Sequence, residues 1–536
     1  MVDEKAVPKK GWRPLWPLGL ALGLFSILLG IALAGQISSG QVLLPEEGAY
    51  QRLVVARNMA SRFAWEILPG EFTSAFGTLL WPLLLAPVFF LLGASALWPW
   101  ILNALLSIAL IGLAYRAVRD AVGVPVVQAA LLALMVVALP LAPLAASGME
   151  HVLFLVLLLV FLEQWSRRMQ SPKQAGILPL ALTAVLLAST RYEGMVLVAL
   201  AAFLLILRRD FAAGILVPCA AALPLAVYGM VSWRAGWLPV PASVYLRRAE
   251  LIPANLAEWP AVVFRSLDAL SVRSDLRAIV LLLTLLPAWL GFTKGEGSAR
   301  DRAFYAPALA LLVLLAHLTL VGNREFRYDA WLVMIGGWAA LPALGRIIPA
   351  DLRNLRKNTV ALVAGGALAV LLGFPLLNRG IESAILFGES TEQAKWIYKL
   401  AGEWAAECAP GTVATDSPGT IAFLTGKESL VDLSGFAGRA AFQERRGGKI
   451  SADWMRTEAE RSGASMAILF QPLLQSQAAQ IWTRIGGWNQ ADCTRCGSAE
   501  LFQVQEDPDS LKCTERFLTN LPSINTVRKE DGGGSE

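Results

Sequence analysis

Histidine is almost missing from this chain: two occur in 536 residues. That leaves too few imidazoles for a His-rich metal centre. Charge is scarce as well. Asp, Glu, Lys and Arg make up 16% of the residues, where a soluble globular chain carries about 25%. The formal net charge of +5 is scattered beside apolar stretches rather than gathered into a patch, which argues against a nucleic-acid partner. Internal repeats are absent, and the only low-complexity segment is the Gly-Ser tail at 531–536.

Apolar sequence fills the space. The chain is 56% hydrophobic with a mean hydropathy of +0.54, the composition of a polytopic membrane protein. Leu15 to Ala34 is long enough to cross a bilayer at ~1.5 Å per residue. No small-residue cleavage site follows it, so it reads as a retained helix rather than a signal peptide. Further runs fall near 97–115, 124–142, 151–165, 175–190, 194–207, 212–232, 278–293, 304–321, 330–345 and 359–377, about 11 spans in all.

Lys and Arg clusters orient these spans. Lys9, Lys10 and Arg13 place the N-terminus in the cytoplasm. Arg116 with Arg119, Arg167 with Arg168, Arg208 with Arg209, Arg300 with Arg302, and Arg353 with Arg356 and Lys357 mark later cytoplasmic ends. Counting Thr78 to Leu92 as a span would invert everything after it, and Pro82 and Pro87 disfavour an unbroken helix there. That run is expected to lie along the outer membrane face, inside a long first loop from 35 to 96.

The expected division is a membrane domain over 1–378 and an extracytoplasmic α/β domain over 379–530. In the latter, a helical stretch at 390–407 precedes strand-like runs at Thr412 to Thr415, Ser429 to Leu433 and Met466 to Phe470. Cys219 lies in an apolar span. Cys408, Cys493, Cys496 and Cys513 all fall in the polar region, an even number that suggests disulfides in an oxidising compartment. The Cys493–Cys496 CxxC also suits metal binding or thiol exchange, but no second CxxC accompanies it. Trp396, Trp404, Trp454, Trp482 and Trp488 belong either to the core or to a sugar-stacking surface.

The span centres are nearly free of ionisable groups, which argues against a transporter or flippase. Charges collect at the expected outer ends: Glu46, Glu47, Arg52, Arg57, Glu150, Arg191, Glu193, Arg247, Arg248, Arg324, Arg327 and Asp329. Singly, each reads as an interfacial side chain. Together, carboxylates and guanidiniums on one face suit chemistry on a phosphorylated lipid, since arginine holds phosphate bidentately and a carboxylate takes a proton from an attacking hydroxyl.

Six segments in order carry a family resemblance. They are Glu46-Glu47-Gly48-Ala49-Tyr50 through Arg57-Asn58, Pro69-Gly70-Glu71 with the following run, Ser147-Gly148-Met149-Glu150, Thr190-Arg191-Tyr192-Glu193-Gly194, Pro241-Ala242-Ser243-Val244-Tyr245-Leu246-Arg247, and Thr415-Asp416-Ser417-Pro418-Gly419-Thr420 with Leu430 to Gly435. An aromatic-arginine patch at Arg327-Tyr328 accompanies them. The chain resembles GT-C class polyprenyl-phosphate-sugar-dependent glycosyltransferases, closest in look to the mycobacterial arabinofuranosyltransferases that use decaprenyl-phosphoryl arabinose. Two positions depart from that pattern. In the register set by Tyr50 the family's two Asp fall on Glu47 and Gly48, with Glu46 one place earlier, and the family's Asn before Thr/Ser-x-Tyr is Ala242.

The resemblance implies an inverting sugar transfer, possibly of a pentofuranose, to a cell-envelope glycan, lipid or protein. It implies Glu47 as base, helped by Glu46. Arg191, Arg247 and Arg327 are expected to hold the lipid phosphate, with Tyr245 and Tyr328 beside them and Arg57 a weaker candidate that braces the loop. Tyr50, Asn58, Glu150 and Glu193 are expected to position substrate. Glu150 and Glu193 are also the acids available to a divalent metal (Mg or Mn), while His151 reads as an interfacial histidine. A non-catalytic membrane scaffold of the same fold is the remaining alternative.

Overall fold

The computed structural model describes residues 14–38, 41–172, 174–249, 273–280, 298–320, 326–347, 359–489, 497–521 and 525–528, with single positions at 260 and 268. Most of the expected span 278–293 lies outside these residues, as do Cys493 and Cys496.

The apolar part is helical, because a backbone without water must satisfy its own hydrogen bonds. Trp16–Gln36 (α1) leads into a short hairpin, Ile37–Ser38 (β1) with Gln41–Val42 (β2), and then Glu47–Arg62 (α2). Next come Leu80–Leu92 (α3), Leu97–Ala121 (α4), Pro125–Ala138 (α5), Leu141–Ala146 (α6) and His151–Gln170 (α7). Ile177–Thr190 (α8), Tyr192–Leu207 (α9), Phe211–Arg234 (α10) and Ala242–Ala249 (α11) follow. Ser298–Leu320 (α12), Phe326–Ile347 (α13) and Thr359–Gln393 (α14) complete the described helices of this part.

Among the described residues, four helices are long and apolar enough to cross a membrane: α1, α4, α10 and the stretch Val370–Glu407. Shorter apolar helices, α3, α5, α8 and α9 among them, accompany these.

Three expectations are revised. The run at 78–92 is a continuous helix despite its prolines. Pro82 sits in the first turn, where its missing N–H has no intrahelical partner to lose, and only Pro87 removes an interior bond. At 13 residues it reaches about 20 Å, short of a ~30 Å hydrocarbon core. The expected span at 124–142 is two helices, since α5 ends at Ala138 and Pro140 precedes α6. The helix expected at 359–377 runs on to Gln393, so the expected boundary at 378 falls inside an unbroken element.

After α14 the chain makes a π-turn at Ala394–Tyr398 and enters Lys399–Glu407 (α15). An α/β unit follows: Thr412–Thr415 (β3), Pro418–Thr425 (α16), Leu430–Asp432 (β4), Arg439–Gly447 (α17), Ala452–Arg461 (α18), Ala464–Leu469 (β5), Pro472–Ala478 (α19), Thr483–Asn489 (β6), Ser498–Gln503 (β7), Pro508–Asn520 (α20) and Asn525–Arg528 (β8). Its six-stranded sheet has the order β4-β3-β5-β7-β6-β8. β4, β3 and β5 are parallel, and the remaining pairs are antiparallel.

Cys408 and Cys513 form a disulfide with their Cα atoms 5.3 Å apart, joining the end of α15 to α20. Trp404 and Trp488 are fully buried and Trp482 nearly so. These three are core rather than a sugar platform.

Candidate active site

The turn before α7 sets one wall. Gly148 holds φ +74°, and a Cβ there would lie 2.9 Å from the Leu44 side chain, so only glycine fits. The indole N–H of Trp81 donates to the Gly148 carbonyl at 3.1 Å, and Asn103 donates to the Met149 carbonyl at 2.9 Å. This turn delivers Glu150 and His151 inward. A second wall comes from Arg191, whose extended backbone (φ −154°, ψ 143°) separates α8 from α9 and turns its side chain toward α7.

Glu150 is 1% exposed and shared by two arginines. Arg52 Nε lies 2.8 Å from Glu150 Oε2, Arg191 Nη1 lies 3.6 Å from Oε1, and Thr78 Oγ1 donates to Oε1 at 3.0 Å. Arg191 also reaches Glu193 Oε1 at 2.6 Å and His151 Nδ1 at 2.7 Å. Next to this cluster is a small, partly open hollow lined by His151, Phe154, Leu155, Arg191, Arg327, Ala330 and Trp331.

Adjacent acids at the start of α2 diverge. Glu46, extended at φ −142° and ψ 138°, pairs with the pocket residue Arg327. Glu47, the first residue of α2, turns the other way, onto the start of α16. Its Oε1 accepts the Gly419 N–H at 2.7 Å, and its Oε2 accepts the Thr420 N–H at 2.8 Å and the Thr420 hydroxyl at 2.5 Å. Gln51 Nε2 adds a donor at 3.2 Å. Withdrawal from water pushes the Glu47 carboxyl up to about 6, and these donors oppose the rise.

Several expected site residues are brought together and several are not. Arg191 and Arg327 share the pocket, and Glu46 reaches it through Arg327. Tyr50 and Asn58, expected to position substrate, each hold a neighbouring part of the first loop. The Tyr50 hydroxyl accepts the Leu44 N–H at 2.9 Å, and Asn58 Nδ2 donates to the Glu66 carbonyl at 3.0 Å. Arg57 donates to the Ala422 carbonyl at 3.0 Å. The Tyr245 ring packs edge-on against Phe442 of α17, 6.0 Å between centroids, and is not part of the pocket lining. Arg247 lies on α11 and Tyr328 on α13, but their side chains fall outside the described residues.

Glu150 and Glu193, the acids considered for a divalent ion, are each engaged by arginine, and that donor set does not fit a metal. His151, read from sequence as interfacial, lines the pocket. Sequence reasoning assigned no role to Arg52, Thr78, Thr420 or Trp331; the Arg52–Glu150, Thr78–Glu150 and Thr420–Glu47 pairs join residues 98, 72 and 373 positions apart. A further buried chain links His317 to Asp329 at 2.8 Å, Asp329 to Arg273 at 2.8 Å, Arg273 to Asp275 at 2.7 Å, and Asp275 to Arg379 at 2.8 Å.

Apolar helices, a first loop opening on an acid at a helix start, and a terminal α/β unit describe a multi-pass membrane protein with an appended α/β unit. Solved structures similar to this chain include ArnT from Cupriavidus metallidurans bound to undecaprenyl phosphate, at 13% identity and a TM-score of 0.55, covering 92% of this chain and 99% of that one. The apo state of the same protein is similar at 14% identity and a TM-score of 0.50, over 92% and 98% of the two chains. The apo Archaeoglobus fulgidus oligosaccharyltransferase shares 13% identity at a TM-score of 0.45, over 93% and 75%. No protein-family model and no curated protein matches the chain. At these identities the likeness is one of fold.

Proposed function

We propose that this protein transfers a sugar from a polyprenyl-phosphate donor to an acceptor hydroxyl at the outer membrane face. One observation carries the reading: Arg191 and Arg327, 136 positions apart in the chain, line the same pocket, and Glu46 pairs with one of them. The fold supports it, since a neighbour of the same architecture binds undecaprenyl phosphate. The pocket's two guanidiniums suit the phosphate, with Arg247 a third contributor, and apolar helices beside it suit the lipid tail.

The acceptor oxygen attacks the anomeric carbon as its proton passes to a carboxylate of the Glu46–Glu47 pair. The bond from that carbon to the phosphate oxygen breaks on the opposite face. Polyprenyl phosphate leaves with the electron pair, and configuration inverts. The resemblance noted in the sequence favours a pentofuranose as the sugar and a cell-envelope glycan, lipid or protein as acceptor. The same reading puts the N-terminus in the cytoplasm and the α/β unit outside.

The test is transfer of label from a radiolabelled polyprenyl-phosphate pentofuranose to cell-envelope acceptor by the purified protein. Arg191→Ala and Arg327→Ala are each expected to lower the rate by about 10²- to 10³-fold, the usual loss of one charge-stabilising contact. Label that stays on the lipid with every acceptor tried would end the proposal.

A further inference from the structure

We propose that Glu46 is the base and that Glu47 is a positioning residue, held by Thr420 so that its neighbour points into the pocket. This rests on the glycosyl-transfer reading and assigns its proton acceptor. The argument begins with direction. Glu46 is extended and Glu47 is the first helical residue, so their carboxylates leave the chain on different sides. One meets Arg327, a wall of the pocket. The other meets the C-terminal α/β unit.

Glu47 has little left to offer an acceptor. Both of its oxygens are engaged, by two N–H groups and a hydroxyl at the start of α16 and by Gln51. A carboxylate at a helix N-terminus is stabilised where it sits, and removing a proton acceptor from three donors at once would cost those bonds. The contact is also tight by construction. A Cβ on Gly419 would lie 2.7 Å from Glu47 Oε1 and 2.7 Å from the Gln51 backbone nitrogen, so glycine at 419 is what lets α16 approach α2. Thr420 is fully buried and its hydroxyl is committed to Glu47.

Fixing Glu47 fixes the first turn of α2, and with it the bond directions of Glu46. The α/β unit therefore acts on the membrane pocket through a single residue step. The titratable groups packed around Glu47 are Tyr50 on its own helix, Tyr398 in the π-turn and Asp416 before α16, while Arg327 stands beside Glu46. None of them replaces the Thr420 hydroxyl as a donor to Glu47.

The experiment uses the full-length protein and the radiolabelled polyprenyl-phosphate pentofuranose. Glu46→Gln is expected to lose about 10²- to 10⁴-fold in kcat, the usual worth of a general base. Glu47→Gln gives up one of the two acceptor oxygens that hold the helix start and is expected to lower kcat less than Glu46→Gln does, short of the loss of a general base. Thr420→Val should lower kcat at unchanged donor KM, Thr420→Ser should restore it, and the acid limb of the pH profile should stay in place. Two results overturn the assignment while leaving the transferase reading intact. One is a Glu47→Gln loss as deep as that of Glu46→Gln. The other is an acid limb that moves to higher pH in Thr420→Val, because a carboxylate base deprived of a donor titrates higher. A wild-type protein that moves no label overturns both proposals.

Discussion

Asp416 sits just past β3, 3% exposed, and accepts the Phe470 N–H at 3.1 Å and the Gln471 N–H at 2.7 Å. Those bonds do not offset burial, and its carboxyl is pushed up to about 7. The folded state therefore keeps this proton at a pH where the unfolded chain has released it. The stabilisation is complete below the ordinary aspartate range near 4 and is lost as the pH rises through about 7. Glu47, raised to about 6, acts in the same direction. The α/β unit is expected to melt higher at pH 5.5 than at pH 7.5, and Asp416→Asn should remove most of the difference. At about 2–4 °C per kcal/mol for a domain of this size, scanning calorimetry resolves the change. A wild type and an Asp416→Asn protein with the same pH dependence would contradict it. At this scale the sequence displayed the acids and arginines but not their partners. Glu46 and Glu47 are neighbours in the chain, and only the fold sends one to Arg327 and the other to Thr420.

Among the elements, α14 and α20 carry the join between the two parts of the molecule. α14 leaves the apolar region and passes through the π-turn into α15, and the disulfide from Cys408 to Cys513 ties that end to α20 across 105 residues. Closing a loop of about 100 residues in the unfolded chain is worth about 4–5 kcal/mol in the chain-entropy treatment. Cys513→Ser is expected to lose a large part of that, seen as a lower urea midpoint for the α/β unit. Reductant should reproduce the effect in wild type and leave Cys513→Ser unchanged. Strands at 412–415, 430–432 and 464–469 were legible from β-branched and apolar runs between turn residues. Pro82 misled, because a proline in the first turn costs a helix no bond, and α3 runs on past the interior Pro87.

At the scale of the whole molecule, two glutamates of the first loop cap two helices of the α/β unit. Glu47 takes the start of α16, and Glu71 Oε1 accepts the Arg439 N–H at the start of α17 at 2.6 Å. Thr73 donates to the Ala437 carbonyl at 3.1 Å, and Arg62 meets Glu428 at 3.0 Å. Burial raises the Glu71 carboxyl above its ordinary range, so its proton uptake precedes that of exposed acids. Glu71→Ala is expected to speed amide exchange at Arg439 and its neighbours without changing exchange in β5, which is held inside the sheet. Equal acceleration in both places would mean loss of the domain rather than loosening of its docking.

Hydrophobic runs and scarce charge marked this chain as a multi-pass membrane protein from the sequence alone. Those properties are local sums: a span is apolar whatever it packs against, and a bilayer reads only length and polarity. The site is a different kind of object. Glu150 finds Arg52 98 positions away, and Glu47 finds Thr420 373 positions away. Such pairs form only when tertiary packing strips both partners of water and makes each the other's best source of hydrogen bonds. Which of two adjacent acids faces the pocket is decided there, by one glycine at 419 that lets two helices touch.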